Sequence, residues 1–195
     1  MKTRVYISRR ESHETTLDIV LRALKIIPLK KFITNSEKKI LINPNWVTSD
    51  HYRTGNITST GILEGIIIYL LQEAKINPEK IIVADGGSFG ISNKFFKLNE
   101  IFRLEEYGIK ILNLNEDEII NEIEIPNPLA LKTVNIAKTA MDASCIISVP
   151  SLKTHNMAYT TLSMKNMMGV ISPKSIMHSK LHKKIADLVS VLRSR

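Results

Sequence analysis

The chain of 195 residues contains a single cysteine, Cys145. A lone thiol excludes an internal disulfide framework and any cysteine-built zinc or iron–sulfur site within the chain. Cys145 lies in the apolar run SCIISV, which reads as a buried strand, where a thiol packs as a small hydrophobe. Long hydrophobic runs are missing too, since the longest, Ile66 to Leu71, is far short of a membrane span. The N-terminus, MKTRVYISRR, has no apolar core of a secretory signal. These absences predict a cytoplasmic protein with no membrane contact. Neither G-x-G-x-x-G nor P-loop spacing occurs, because the glycines at 86, 87 and 90 fit neither pattern.

What is present is an ordinary globular composition, 44% hydrophobic, with a net charge of +8. The charge is uneven. Residues 151–195 carry eight Lys/Arg against one acidic residue and so supply +7 of it. Such a field favours an anionic ligand or partner. Nucleic acid is not expected, because this block has one aromatic residue, Tyr159, and no helix-turn-helix, finger or ribonucleoprotein-type motif.

Short β-rich runs alternate with helical ones, which predicts an α/β fold: a mainly parallel, Rossmann-like sheet with flanking helices and a small antiparallel hairpin. Strands are expected at Val5–Ser8, Lys39–Asn43, Lys80–Ala84, Lys110–Leu114 and Ser144–Val149. Two runs near 118–125 and 131–136 suit the hairpin. Helices are expected at Thr15–Ile27, Thr60–Ala74, about Lys97–Tyr107, Ala137–Asp142, Leu162–Met168 and Ser179–Arg193. No linker or repeat divides the chain, so residues 1–195 read as a single domain.

Ligands of parallel sheets bind where strands end. Three strand ends here carry polar chemistry: Asn43-Pro44-Asn45, Asp85-Gly86-Gly87-Ser88 and Pro150-Ser151-Leu152-Lys153-Thr154-His155. Lys153 and His155 are two apart, so an extended segment turns both to one side. Lysine offers a point charge for carboxylate or phosphate, and histidine exchanges protons near neutral pH. Lys165 and Asn166 follow on a short helix, with Gly169 four residues after Lys165. His178 and His182 are four apart, as are Lys183 and Asp187. The first pair reads as a solvated helix start rather than a metal site, the second as a surface ion pair.

Read in order, INPN, ADGG, SCIISVPSLKTH and MKNMMG resemble the family known as domain of unknown function 362. Its members typically show a strand ending in K-P-N, then one ending in D-G, then I-N-V-P-K-L-K-T-H and a helix with K-N-x-x-G. The resemblance covers about residues 39–192. Asn43 and Ser151 stand where relatives usually have lysine. Relatives normally continue into another strand and a glycine-rich loop, so the resemblance implies a chain truncated at its C-terminus, or split, with a complementary C-terminal subunit. It also implies association with a ferredoxin-like iron–sulfur protein, although the chain has no iron–sulfur ligands and its cofactor is unknown.

The expected function is that of an enzyme, or its remnant, binding a small anionic ligand in a cleft at the strand ends. The expected catalytic residues are His155 as general acid/base, Lys153, and Asp85 as partner of His155 or a metal contact. Asn45, Gly86, Gly87, Ser88, Thr154, Lys165 and Asn166 are expected to bind the ligand, and no metal ligands are assigned. The alternative is a non-catalytic accessory module for an iron–sulfur redox partner.

Overall fold

The computed structural model describes residues 5–33, 37–87 and 91–193. Four parallel strands form the central sheet: β1 (Ile40–Pro44), β2 (Ile81–Asp85), β3 (Lys110–Asn113) and β6 (Cys145–Val149), in the order β3-β2-β1-β6. Between them in sequence, β4 (Ile119–Glu124) and β5 (Thr133–Ala137) pair as an antiparallel hairpin. A second hairpin, β7 (Lys153–His155) and β8 (Tyr159–Thr161), follows β6. The helices are α1 (Thr16–Ile26), α2 (Thr60–Gln72), α3 (Asn93–Leu98), α4 (Lys138–Asp142), α5 (Ser163–Asn166) and α6 (Leu181–Leu192). The fold is therefore Rossmann-like. None of the described helices is long and apolar enough to cross a membrane.

The period of two along each strand divides the core into two layers. Ile40, Ile42, Ile81, Val83, Cys145 and Val149 pack with α2 and the aromatic cluster of Trp46, Phe95 and Phe96 on one face. Leu41, Ile82 and Ala84 pack with α4, the β4–β5 hairpin and α6 on the other. Chain leaving β1 thus runs to one face, and chain leaving β6 runs to the opposite face. These neighbours form the topological switch point of the sheet, where a crevice opens at the strand carboxyl ends.

Local signals explain most boundaries. Thr15 and Asp18 form a capping box at the start of α1. Ser92 caps α3 through Phe95 N. Three expectations need correction. Val5–Ser8 is not a strand; it lies outside every sheet with Val5 and Ile7 exposed, because alternation alone supplies no neighbouring strand to pair with. The expected helix at Lys97–Tyr107 is the end of α3 followed by a 3-10 segment, Ile101–Tyr107. The segment beginning at Lys153 is extended but paired within its own hairpin, so antiparallel pairing occurs twice.

Candidate functional site

The carboxyl ends of the strands are tied together by a one-way chain of hydrogen bonds. Lys153 Nζ donates to Asn45 Oδ1 (2.7 Å), and Asn45 Nδ2 donates to Asn166 Oδ1 (3.0 Å). Asn166 Nδ2 donates to Asn43 Oδ1 (3.1 Å), and Asn43 Nδ2 reaches Asp85 Oδ1 (3.3 Å). Every amide is polarised in the same sense, from an ammonium at one end to a carboxyl group at the other, so the links reinforce one another. Asn166 also bonds Asn43 O (3.0 Å) and Pro44 O (3.1 Å), clamping the end of β1 to α5. Asn43 and Asn166 are buried, where an unmade amide bond costs about 1–3 kcal/mol.

Asp85, 3% exposed, closes this chain at the end of β2. Its Oδ2 accepts from Trp46 N (2.8 Å), and the Gly87 N–H also bonds the carboxylate. Burial nevertheless pushes its carboxyl above the usual range; the Trp46, Asn43 and Gly87 bonds and the charge of Lys174 only reduce the rise. Asp85 makes no hydrogen bond to His155 among the described residues; Trp46 N donates to one of its oxygens and Asn43 Nδ2 to the other. Gly169 lies directly against it, and a Cβ there would overlap Asp85 Oδ1. Gly169 O also accepts from Gly86 N (3.0 Å), which joins the turn after β2 to the segment after α5.

Around this polar floor lies a cleft of about 280 Å³, lined by Asn45, Asp85, Gly87, His155, Lys165 and Asn166 among the expected residues. Lys153 and Gly86 stand behind them, engaged with Asn45 and Gly169 respectively. Thr154 is exposed and absent from the lining, because alternation along β7 turns it away from Lys153 and His155. Ser88 lies outside the described residues. The lining also includes Met168, Gly169, Lys174 and His178. Neither Lys174 nor His178 is marked as a site residue by the sequence; Lys174 opens the short 3-10 segment Lys174–Met177 and His178 follows it, where no periodic pattern assigns a face.

The cations differ in how they are held. Lys153 is fixed by Asn45 Oδ1 and by the carbonyl of Asn56. Lys174 Nζ donates to Asn115 Oδ1 (2.8 Å), and the Asn115 amide in turn bonds Gly86 O. Lys165 has no hydrogen-bond or ion-pair partner among the described residues, and burial pushes its ammonium below the usual lysine range. Lys153 is also lowered, first by burial and then by Lys165. His155 is lowered by burial, Lys165 and Lys153 in that order. Its Nδ1 accepts from Met157 N (3.1 Å) and Ala158 N (3.2 Å), so the neutral ring carries its proton on Nε2.

One other pair differs from expectation. Asp187 forms no surface pair with Lys183; it is buried and accepts from Leu129 N, Ala130 N and Leu131 N, each at 2.8 Å. The rings of His182 and Tyr159 stack with centroids 5.8 Å apart, while His178 lines the cleft. The described residues contain no cluster of three or more His, Cys, Asp or Glu able to hold a metal ion.

The thylakoid-associated protein sll1697 of Synechocystis sp. is 26% identical over 137 residues, 70% of this chain. That alignment covers 40% of the length of the relative. A family model, domain of unknown function (DUF362), matches residues 40–195, from the first residue of β1 through every element that builds the cleft. The chain belongs to the DUF362 family.

Proposed function

We propose that the cleft binds a small ligand bearing a carboxylate or phosphate and acts on an oxygen atom of that ligand. One observation carries this reading: Lys165 is a half-buried ammonium without a protein acceptor among the described residues, in a cleft shared with His155 and Lys174. An unpaired, partly desolvated cation is costly unless an anion completes it. Asp85 does not neutralise the group, since burial disfavours its charge and its oxygens are occupied.

The geometry favours a particular role for His155. With Nδ1 accepting two backbone N–H groups, protonation there would break both bonds. His155 then acts as a neutral donor through Nε2, polarising a carbonyl or phosphoryl oxygen beside Lys165, rather than as a proton acceptor. Lys153 and Asn45 act by holding Asn166 in place. Calorimetric titration with inorganic phosphate or acetate tests this. Binding is expected in the native protein, salt-sensitive and lost in Lys165→Met; affinity unchanged by that substitution would overturn the placement.

A second reading, a module docking onto an iron–sulfur redox protein, is favoured by a separate observation. Leu152, Met157, Tyr159, Leu162 and Met164 are all exposed along the β7–β8 hairpin and the start of α5, beside basic side chains. An apolar patch rimmed by charge is the usual form of a protein contact. Binding of an acidic ferredoxin that is lost in Tyr159→Asp and Met164→Asp would support it; binding indifferent to both would remove it.

A further inference from the structure

We propose that the ligand of this cleft is a short dianion, with one anionic group held at Lys165 and the other at Lys174. The inference rests on the anion-binding reading and narrows the ligand class.

The two lysines stand over different parts of the sheet. Lys165 precedes Asn166, which bonds Pro44 O on β1 (3.1 Å) and Ser148 Oγ on β6 (3.4 Å), so it belongs to the β1–β6 end. Lys174 is tied to Asn115, which follows β3 and bonds Gly86 O after β2, so it belongs to the β2–β3 end. With the order β3-β2-β1-β6 and neighbouring strands ~4.8 Å apart, the two anchor points lie about two strand spacings from each other, ~10 Å. Lys174 Nζ is itself held at Asn115 Oδ1, so the two ammonium groups suit two charges on one small molecule better than a single charge shared between them.

Each pole has unused capacity. Lys165 has no partner among the described residues, and Lys174 has one, a neutral amide oxygen, which leaves two of its three N–H groups. Each also has a histidine in the lining, His155 beside Lys165 and His178 four residues beyond Lys174. The lining also includes Met168 and Gly169, which carry no charge of their own. Asp85 is the one acidic residue of the lining among the described residues; its oxygens accept from Trp46 N and Asn43 Nδ2, and it attracts the Lys174 charge without a hydrogen bond to it. The cleft volume of about 280 Å³ equals roughly nine water molecules at ~30 Å³ each, which leaves room for a ligand of about that many non-hydrogen atoms. An unbranched dicarboxylate of four to six carbons fits this size, on the order of eight to ten atoms.

The test is a calorimetric series at fixed ionic strength with acetate, inorganic phosphate, malonate, succinate, glutarate and adipate. Affinity is expected to pass through a maximum with chain length, the best dicarboxylate binding about tenfold or more tighter than acetate. Lys165→Met and Lys174→Met are each expected to reduce that ligand to the acetate level. Acetate or phosphate binding as tightly as every dicarboxylate, yet lost in Lys165→Met, overturns the dianion while leaving the anion site standing. No heat with any of the six ligands overturns both. The chain-length series uses the native protein, so its outcome does not depend on how the Lys174 variant folds.

Discussion

Asp85 and Asp187 are both 3% exposed, both accept backbone N–H groups, and their carboxyl groups are displaced in opposite directions. Burial pushes Asp187 up as well, but the Leu129, Leu131 and Ala130 N–H groups converge on it and hold its carboxyl below the usual range. Asp85 receives Trp46 N and Gly87 N, and its third donor, Asn43 Nδ2, is long at 3.3 Å and shared with Ala84 O. The first carboxylate is satisfied as an ion and fastens the loop between β4 and β5 to α6. The second is buried without enough donors to favour its charge, in the floor of a cleft whose other charged groups are cations. A fully compensated buried charge reads as structure; an under-compensated one in a cleft of lysines reads as a site.

The sharpest way to break this contrast is Asp187→Ala. Three N–H groups, that of Leu131 buried and the other two part-buried, would lose a charged acceptor, and a loss of about 3–4 kcal/mol is expected by urea unfolding. Asp85→Asn should cost less, about 1–2 kcal/mol: it removes a charge that burial opposes, but sets an amide donor against an N–H group that now meets a carboxylate oxygen. The pH dependence separates them further. The depressed carboxyl of Asp187 adds stability above its unfolded value near 3.8, and that stability is lost as pH falls through the lower folded value. The raised carboxyl of Asp85 works the other way: stability falls as pH rises from 3.8 through the folded value. Asp85→Asn should therefore flatten the decline on the neutral side, and Asp187→Ala the gain on the acid side. Equal stability losses for the two variants would dissolve the distinction.

A smaller effect is expected from Asn166→Ala, which removes the middle link of the chain from Lys153 to Asp85. Asn43 Oδ1 and Asn45 Nδ2 would each lose a partner, and the loss is about 2–3 kcal/mol for the buried share. Asn166→Asp discriminates more finely. It keeps the acceptor for Asn45 Nδ2 but replaces the donor that faces Asn43 O and Pro44 O with oxygen. A stability equal to the native protein would mean that the donor side contributes nothing.

How far the sequence reveals these arrangements follows from the kind of signal each leaves. The strands β1, β2, β3 and β6 are legible because short apolar runs end abruptly at Pro44, Gly86 and Pro150, or return after Gly108. Convergence of their ends follows from parallel topology, which places Asn45, Asp85, His155 and Asn166 together. Asp187 looks like a surface residue because an i,i+4 spacing to Lys183 is visible in sequence, whereas three N–H groups from a loop 56 to 58 residues away are not. Lys174 is hidden for the same reason, since its place depends on Asn115 and Gly86 rather than on its neighbours. Val5–Ser8 has a strand's alternation without a strand's partner. Local pattern specifies elements; it does not specify which polar groups meet across the sheet.

The smallest expected effect has the opposite sign. Lys165 is half-buried, lacks an acceptor among the described residues and stands near Lys153 and His155, so its charge opposes folding. Lys165→Met keeps most of the aliphatic stem, removes the unpaired charge and relieves both neighbours. A gain of about 0.5–1 kcal/mol in urea unfolding is expected, of the size seen when function has kept a destabilising group in place. The His155 pKa, followed by its ring proton resonances, should rise in the same variant, because one of the cations that depress it is gone. The two readouts together distinguish a charge kept for a ligand from one that supports the fold. A loss of stability with an unmoved histidine would return Lys165 to the class represented by Asp187.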